Sequence, residues 1–415
     1  MSTESVVNIK QLLSFKELEA GYKVLKRKKK YKDFVISQYP LRYVERSERA
    51  ENQLKKFLDT KVHTKENRLE FYESLENYKF DPYVAIAIEK GKNTGKFRPL
   101  LVPSPKDRLV FDALLPKYYE LLHEELSKRK LLGLGLIKKQ RISDLVKEMY
   151  NIYIKNGYTF ALTIDYSAFF SSIDRTLLLS KLELLKGDKE LVSILYTLIN
   201  NQITNGKEVQ EKTNIDILDC GIPQGLSFSP LLACFYALEV DDIYLNYPSV
   251  IGYRYIDDIV IFGKDEKSLR DVFSKILLKS EELKIKVHPL DVEGSKTELK
   301  DLLVSSITFL GVDISETSLA IGSIKFEKFL EIISKEIFTL KVIHQKNTAD
   351  IKKVYFNFVR GWLNHYEDIV DNPVELHQYL DSIIYDKYFR KQKIRKRFFK
   401  SNSWIKITHN TALTE

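Results

Sequence analysis

Two places in this 415-residue sequence put carboxylates where they can hold cations. Asp165 directly follows Tyr158-Thr159-Phe160-Ala161-Leu162-Thr163-Ile164, a β-branched and aromatic run that reads as a strand. Asp257 and Asp258 separate two more such runs, residues 250–255 and 259–262, which read as a hairpin with both acids at its tip. Acids on strand ends are rigidly placed and can converge. Mg²⁺ takes oxygen ligands and is usually held by one or two carboxylates together with substrate phosphates. Two such ions roughly 4 Å apart stabilise both the attacking and the leaving oxygen of an in-line phosphoryl displacement. An isolated Asp-Asp is more often a solvated turn, and a lone Asp after a strand a helix cap. The flanking residues decide between these readings.

Tyr255-Ile256-Asp257-Asp258, preceded by Gly252-Tyr253-Arg254 and followed by Ile259-Val260-Ile261-Phe262, resembles the Tyr-x-Asp-Asp motif of reverse transcriptases. Ile164-Asp165-Tyr166-Ser167-Ala168-Phe169-Phe170-Ser171-Ser172-Ile173 is similar to the preceding metal-binding motif of the same enzymes. Gly221-Ile222-Pro223-Gln224-Gly225-Leu226-Ser227-Phe228-Ser229-Pro230 resembles their Gly-x-Pro-Gln-Gly-x-x-x-Ser-Pro loop. The three stand in the family's order, and together they are far more specific than any one of them. On either side, Gly95-Lys96-Phe97-Arg98-Pro99 and Lys106-Asp107-Arg108 look like the family's fingers segment. Gly294-Ser295-Lys296-Thr297 and Phe309-Leu310-Gly311 resemble its last palm motifs, and Arg360-Gly361-Trp362-Leu363-Asn364-His365-Tyr366 a thumb helix of intron-type bacterial members.

The resemblance implies an RNA-directed DNA polymerase that makes cDNA with two Mg²⁺ ions, Mn²⁺ being an accepted substitute. Asp165 and Asp257 are then the direct metal ligands, with Asp258 assisting. Lys96 and Arg98 neutralise the β- and γ-phosphates, with Lys90 and Lys92 as helpers; guanidinium suits bidentate oxygen contacts. Gln224 packs near the incoming sugar or the template base. Phe170, five residues after Asp165, stands where the family places an aromatic against the sugar C2′, which selects deoxynucleotides, and the adjoining Phe169 is expected at the nucleotide as well. Lys296 is either a general acid for the pyrophosphate or a surface lysine. Two departures leave substrate handling open: Leu226-Ser227-Phe228 inside the Pro-Gln-Gly loop, and Ala168 where many relatives carry a polar residue.

Strands and helices must position these groups. Residues 1–80 read as charged amphipathic helices, with Lys26 to Lys30 as a solvated basic face. Residues 84–88 and 97–102 read as a hairpin with a basic tip, residues 109–155 as helical, and 174–201 as helical again. Ser229-Pro230 opens a further helix. Strand patterning returns over residues 307–312, and from about 324 the chain is helical and increasingly basic. The expected class is α+β, a right-hand polymerase with fingers in 1–155, an antiparallel-sheet palm in 156–323, and a helical thumb with a basic tail in 324–415.

Composition agrees with such a protein. Hydrophobic residues make up 44% and aromatics 12%, enough for a sizeable core, and the net charge of +9 suits a polyanionic partner. The tail from Lys387 to Lys400 mixes eight basic residues, among them Lys391, Lys393, Arg395, Lys396 and Arg397, with four aromatics. That mixture fits RNA, with charges on phosphates and rings on bases. It equally fits an amphipathic helix docking its aromatics on the thumb. The two cysteines cannot build a disulfide framework or a four-ligand zinc site, which points to a reducing cytoplasm. No apolar run approaches the ~20 residues of a membrane span. The expected partners are a noncoding or template RNA, its cDNA, dNTPs, and either further copies of the chain or a partner protein. With no nuclease cluster or Cys/His pattern after the thumb, the chain looks most like the compact abortive-infection and defence-associated bacterial reverse transcriptases. Members of that group also include untemplated and protein-primed enzymes, and a non-catalytic RNA-binding scaffold is a further alternative.

Overall fold

The computed structural model describes residues 6–38, 48–89, 95–127 and 142–338, with Tyr366 and Ile369. Lys90, Lys92, the tail from Lys387 to Lys400 and all of the thumb motif but Tyr366 lie outside the described residues. Eleven strands are described: β1 Val84–Glu89, β2 Phe97–Val102, β3 Phe160–Ile164, β4 Tyr166–Ser167, β5 Val250–Tyr255, β6 Asp258–Gly263, β7 Lys286–Val287, β8 Glu298–Asp301, β9 Ile307–Phe309, β10 Val312–Ile314 and β11 Leu319–Ile321. Helices fill most of the remaining described chain, so the class is α+β as expected.

The described residues fall into two compact units. The first carries the hairpin β1–β2 and residues Leu162–Leu299, most of the segment expected as palm. Its main sheet runs in the order β5-β6-β3-β8, with β5 and β6 antiparallel and Tyr255 opposite Asp258. β6 is interior to that sheet, and Ile259, Val260, Ile261 and Phe262 are all buried. An uninterrupted apolar run is what a strand covered on both faces requires. Against β5 packs the helix Leu238–Leu245, while Glu266–Glu282 packs against β6. β4 and β7 are only two residues each, yet their pairing of Tyr166 with Val287 carries the chain after β7 back to Asp165.

Within this unit the fingers hairpin pairs Val84–Glu89 with Phe97–Val102 in full register. Asn205 secures its first strand, since its side-chain amide both donates to and accepts from the backbone of Ala85 at 2.8 Å. Of the basic run, Lys26, Arg27 and Lys28 are exposed. Lys26 lies over the Tyr22 ring and Lys28 pairs with Asp112 at 2.9 Å, both lysines remaining exposed.

The second unit includes the helix Ile142–Lys155, the sheet β11-β10-β9 and the helix Ser323–Phe338. Here the sequence reading needs correction. Residues 307–312 are not one strand but the turn of a hairpin and its flanks. Phe309 pairs with Val312, and the two residues between them, Leu310 and Gly311, have φ of 51° and 80°. Two left-handed residues in a row make the tight turn whose twist matches antiparallel strands. Glycine takes that conformation freely, and leucine is held in it by the pairing on both sides.

Candidate functional site: three carboxylates around a strained turn

The hairpin turn between β5 and β6 consists of Ile256 and Asp257, with Asp258 as the first residue of β6. Ile256 has φ of 61°, a genuine outlier for a β-branched residue. Such strain persists only where the surroundings fix it, and it gathers at functional sites. Ala168, three residues after Asp165, is also left-handed at φ 52° and precedes the short helix Phe169–Ser172.

Asp165, Asp257 and Asp258 lie close enough to feel one another's charge. Loss of hydration lifts the Asp257 carboxyl above the usual carboxylate range, and Asp165 adds to the shift. Asp258 is pushed up to about 6 by loss of hydration, then by Asp257 and Asp165. Asp258 keeps an exposed face, so water reaches it from one side while protein crowds the others. Two nitrogens face Asp165. Lys296 Nζ and His288 Nε2 each lie 3.2 Å from the same Asp165 oxygen, and Lys296 draws both other carboxyls downward.

Asp165 is held from two sides. Its amide donates to the buried Thr297 hydroxyl at 3.3 Å, which brings the neighbouring Lys296 into place, and its carbonyl accepts from the His288 amide at 3.0 Å. His288 had no signal in the sequence, because two-residue strands leave no periodicity. Among the described residues no three acidic, histidine or cysteine side chains are placed closely enough to hold a metal ion as they stand. The donor set nevertheless fits a hard divalent ion, since it offers three oxygen donors whose mutual repulsion a cation would relieve.

The Pro-Gln-Gly loop lies against the helix that follows Asp165. The Gly221 and Ile222 amides donate to the carbonyls of Ile173 and Phe170 at 3.0 and 2.9 Å. Gly221 has φ of 76°, and a Cβ there would meet Ser171 Cα at 2.7 Å, so only glycine allows the approach. Gln224 donates from its side chain to Ser171 Oγ at 3.1 Å, and its carbonyl accepts from Leu101 of β2 at 2.7 Å, tying loop to fingers strand. Ser229 closes the loop by donating to the Pro223 carbonyl. Arg175 holds the loop's approach, donating to the carbonyls of Ile217, Leu218, Cys220 and Gly221 at 2.6–3.1 Å. Neither Arg175 nor Ser171 was singled out by sequence reasoning. The departure at Phe228 now has a use: its ring is buried against Phe111 and Tyr118 of the helix Pro105–Ser127.

The two phenylalanines separate. Phe169 is buried and stacked on Tyr166 at 5.1 Å, so it supports the core and cannot touch a nucleotide. That corrects its assignment to the nucleotide site. Phe170 stands edge-on to Phe169 and stays partly exposed. Lys96 and Arg98 are exposed near the tip of the fingers hairpin, next to Phe97, whose ring lies 5.0 Å from Lys212 Nζ. Neither makes a described ion pair with Asp165, Asp257 or Asp258.

Residues 88–314 match the family model described as reverse transcriptase (RNA-dependent DNA polymerase). Among curated proteins, an "uncharacterized 91 kDa protein in cob intron" of Schizosaccharomyces pombe is 24% identical over 289 residues. That alignment takes in 61% of this chain and 34% of the relative, so the chain spans about a third of its length. Similar solved structures include a Candida albicans telomerase in complex with the TWJ fragment of telomeric RNA, with TM-score 0.46 and 13% identity over 88% of this chain and 68% of that one. Apo telomerase from Candida tropicalis gives 0.41 and 13% over 75% and 62%. The family match takes in more than half of the sequence and all three carboxylates with the Pro-Gln-Gly loop, and this chain belongs to the reverse transcriptase (RNA-dependent DNA polymerase) family.

Proposed function

We propose that the chain is an RNA-directed DNA polymerase that joins deoxynucleotides to a 3′-hydroxyl. The observation that carries this reading is Asp257 and Asp258 on the strained turn between β5 and β6, with Asp165 at the end of β3 beside β6, all inside the segment that matches the family. Asp165 and Asp257 are the direct ligands of two divalent ions and Asp258 assists, with Mg²⁺ the natural occupant and Mn²⁺ a substitute. When bound, the ions stabilise charge on the attacking and leaving oxygens of nucleotidyl transfer. Lys96 and Arg98 take the β- and γ-phosphates, and Lys296 is placed beside Asp165 to serve the departing pyrophosphate as proton donor. Gln224, oriented by Ser171, borders the sugar or template base. Phe170 closes the space that a 2′-hydroxyl would need.

The proposed template is a dedicated structured noncoding RNA, and the proposed setting is antiphage defence in a bacterial cytoplasm. The net charge of +9 and the motif resemblance support the RNA, and the compact motif order supports the setting. Residues 324–415 serve as thumb and basic tail, with Lys391, Lys393, Arg395, Lys396 and Arg397 on the RNA. Two free cysteines and no described helix long and apolar enough to cross a membrane are consistent with that compartment.

The decisive experiment replaces Asp257→Asn together with Asp258→Asn and measures incorporation on a primed RNA template. Amides keep the shape and lose the charge, so incorporation should fall to background while folding and RNA binding persist. Incorporation near the wild-type rate would place the metals elsewhere. DNA made by the wild-type protein without any template would favour untemplated or protein-primed synthesis. Phe170→Ala should raise ribonucleotide use on the order of tenfold or more, one lost contact in a tight pocket contributing about 1–3 kcal/mol of discrimination. Unchanged discrimination would remove Phe170 from the sugar site.

A further inference from the structure

Arg254 is the largest fully buried side chain of the described residues, and it sits in β5 two positions before the strained turn. Its side chain is 1% exposed, and that of its ion-pair partner Asp241, on the helix Leu238–Leu245, is 0% exposed. The guanidinium holds both Asp241 oxygens, Nε donating to Oδ1 at 2.7 Å and one terminal nitrogen to Oδ2. That second nitrogen also donates to the Cys234 carbonyl at 3.0 Å. The other terminal nitrogen donates to the Ile256 carbonyl at 2.7 Å. Tyr244 adds a hydroxyl donor to Asp241, so the carboxylate is satisfied as well.

Stability alone gives little reason for this arrangement. Apolar side chains of similar volume commonly replace a buried ion pair at no loss, or with a gain. What apolar side chains cannot do is grip the Ile256 carbonyl. That oxygen belongs to the peptide joining Ile256 to Asp257, so holding it fixes the plane from which Asp257 projects. The same residue carries the left-handed φ of 61°, a strained conformation that would relax if nothing opposed it.

We propose that Arg254, anchored by Asp241, is a positioning residue that locks the Ile256–Asp257 peptide and so aims the Asp257 and Asp258 carboxylates for metal capture. The inference rests on the polymerase reading above. It assigns the buried pair to turnover and metal affinity, not to binding of primer or template. Lysine is no substitute, because a single ammonium cannot span Asp241 and the Ile256 carbonyl as the planar fork does.

The test uses two variants of the full chain, Arg254→Lys and the paired Arg254→Met with Asp241→Leu. The paired variant removes both charges at once and leaves neither stranded in the core. Each is measured for thermal melting, affinity for a primed RNA template, single-turnover incorporation per folded, primer-bound enzyme, and the Mg²⁺ midpoint of that rate. The paired variant should melt near the wild type and bind the primed template equally well. Its incorporation should fall on the order of tenfold to a hundredfold, the loss expected when reacting groups shift by about 1 Å. Its Mg²⁺ midpoint should rise severalfold, with Arg254→Lys between it and the wild type. A folded, primer-bound variant with the wild-type rate and midpoint overturns the proposal. So does a loss that only tracks the fraction of folded protein, because the pair would then be a structural brace. A wild-type chain that incorporates nothing would instead overturn the polymerase reading and this inference with it.

Discussion

The two ends of one short stretch, Arg254 and the Asp257-Asp258 pair, handle charge in opposite ways. At Arg254 a full charge is taken out of water and every cost is met. Burial alone would push the guanidinium down, yet the charge and hydrogen bonds of Asp241 hold it well above its ordinary value. Three residues on, Asp257 and Asp258 join Asp165 in a cluster of one sign, and both are pushed up by lost hydration and mutual repulsion. The Lys296 ammonium and the His288 imidazole both lie against Asp165, and Lys296 and Arg254 offset only part of the rise at Asp257. The first arrangement leaves no charge without a partner, whereas the second leaves like charges facing one another. The difference marks the second as charge left for something from outside to neutralise, which a divalent ion carrying a triphosphate would do.

Removing one carboxylate from each cluster should therefore have opposite effects. Asp241→Asn leaves Arg254 charged and buried without its counter-charge, and turns one of its four acceptors into a donor. Breaking a buried pair in this way costs about 3–5 kcal/mol. The loss should appear in equilibrium denaturation as a lower midpoint with an unchanged slope. A variant as stable as the wild type would mean that Arg254 finds another partner, and the contrast between the two clusters would fail.

The contrast was only half legible in the sequence. The acids of the turn could be found because a strand, an acid pair and a second strand lie together in residues 250–262, and the flanking types narrow their use. Arg254 offered a hint, being a charged residue in an apolar run next to that turn, and Asp241 offered another inside Leu238-Glu239-Val240-Asp241-Asp242-Ile243-Tyr244-Leu245. Nothing local says that the two meet, because the contact forms only when the helix packs on β5. His288 was invisible for a similar reason, since pairing of β4 with β7 delivers it to Asp165. Of the adjoining phenylalanines, sequence could not say which turns inward. Stacking on Tyr166 takes Phe169 into the core and leaves Phe170 partly exposed. The left-handed residues Ala168, Ile256 and Leu310 are likewise tertiary outcomes, because none of these types favours that conformation.

The smaller effect belongs to the unpaired cluster and has the opposite sign. Asp258 has its carboxyl raised from 3.8 to about 6 on folding, so the folded protein binds that proton more tightly than the unfolded chain. Below about pH 4 both states hold it and it contributes no difference. As pH rises from about 4 to about 6 the folded state loses stability, and above that the full penalty applies. Asp258→Asn cannot ionise, so without metal the variant should be more stable than the wild type at pH 7 and equal to it at pH 4. Water on the exposed side of Asp258 screens the repulsion, which leaves a gain on the order of 1 kcal/mol. The comparison must be between variant and wild type, because burial also pushes the Asp107 carboxyl up to about 6 and bends the stability curve of both over the same range. Adding Mg²⁺ at pH 7 should then stabilise the wild type more than the variant and narrow the gap, as preferential binding to the folded state requires. Thermal melting from pH 4 to 8, with and without Mg²⁺, measures all of this. A gap that persists at pH 4, or a variant less stable at pH 7, would show that Asp258 is held by a partner like the one Arg254 has, and not by repulsion awaiting an ion.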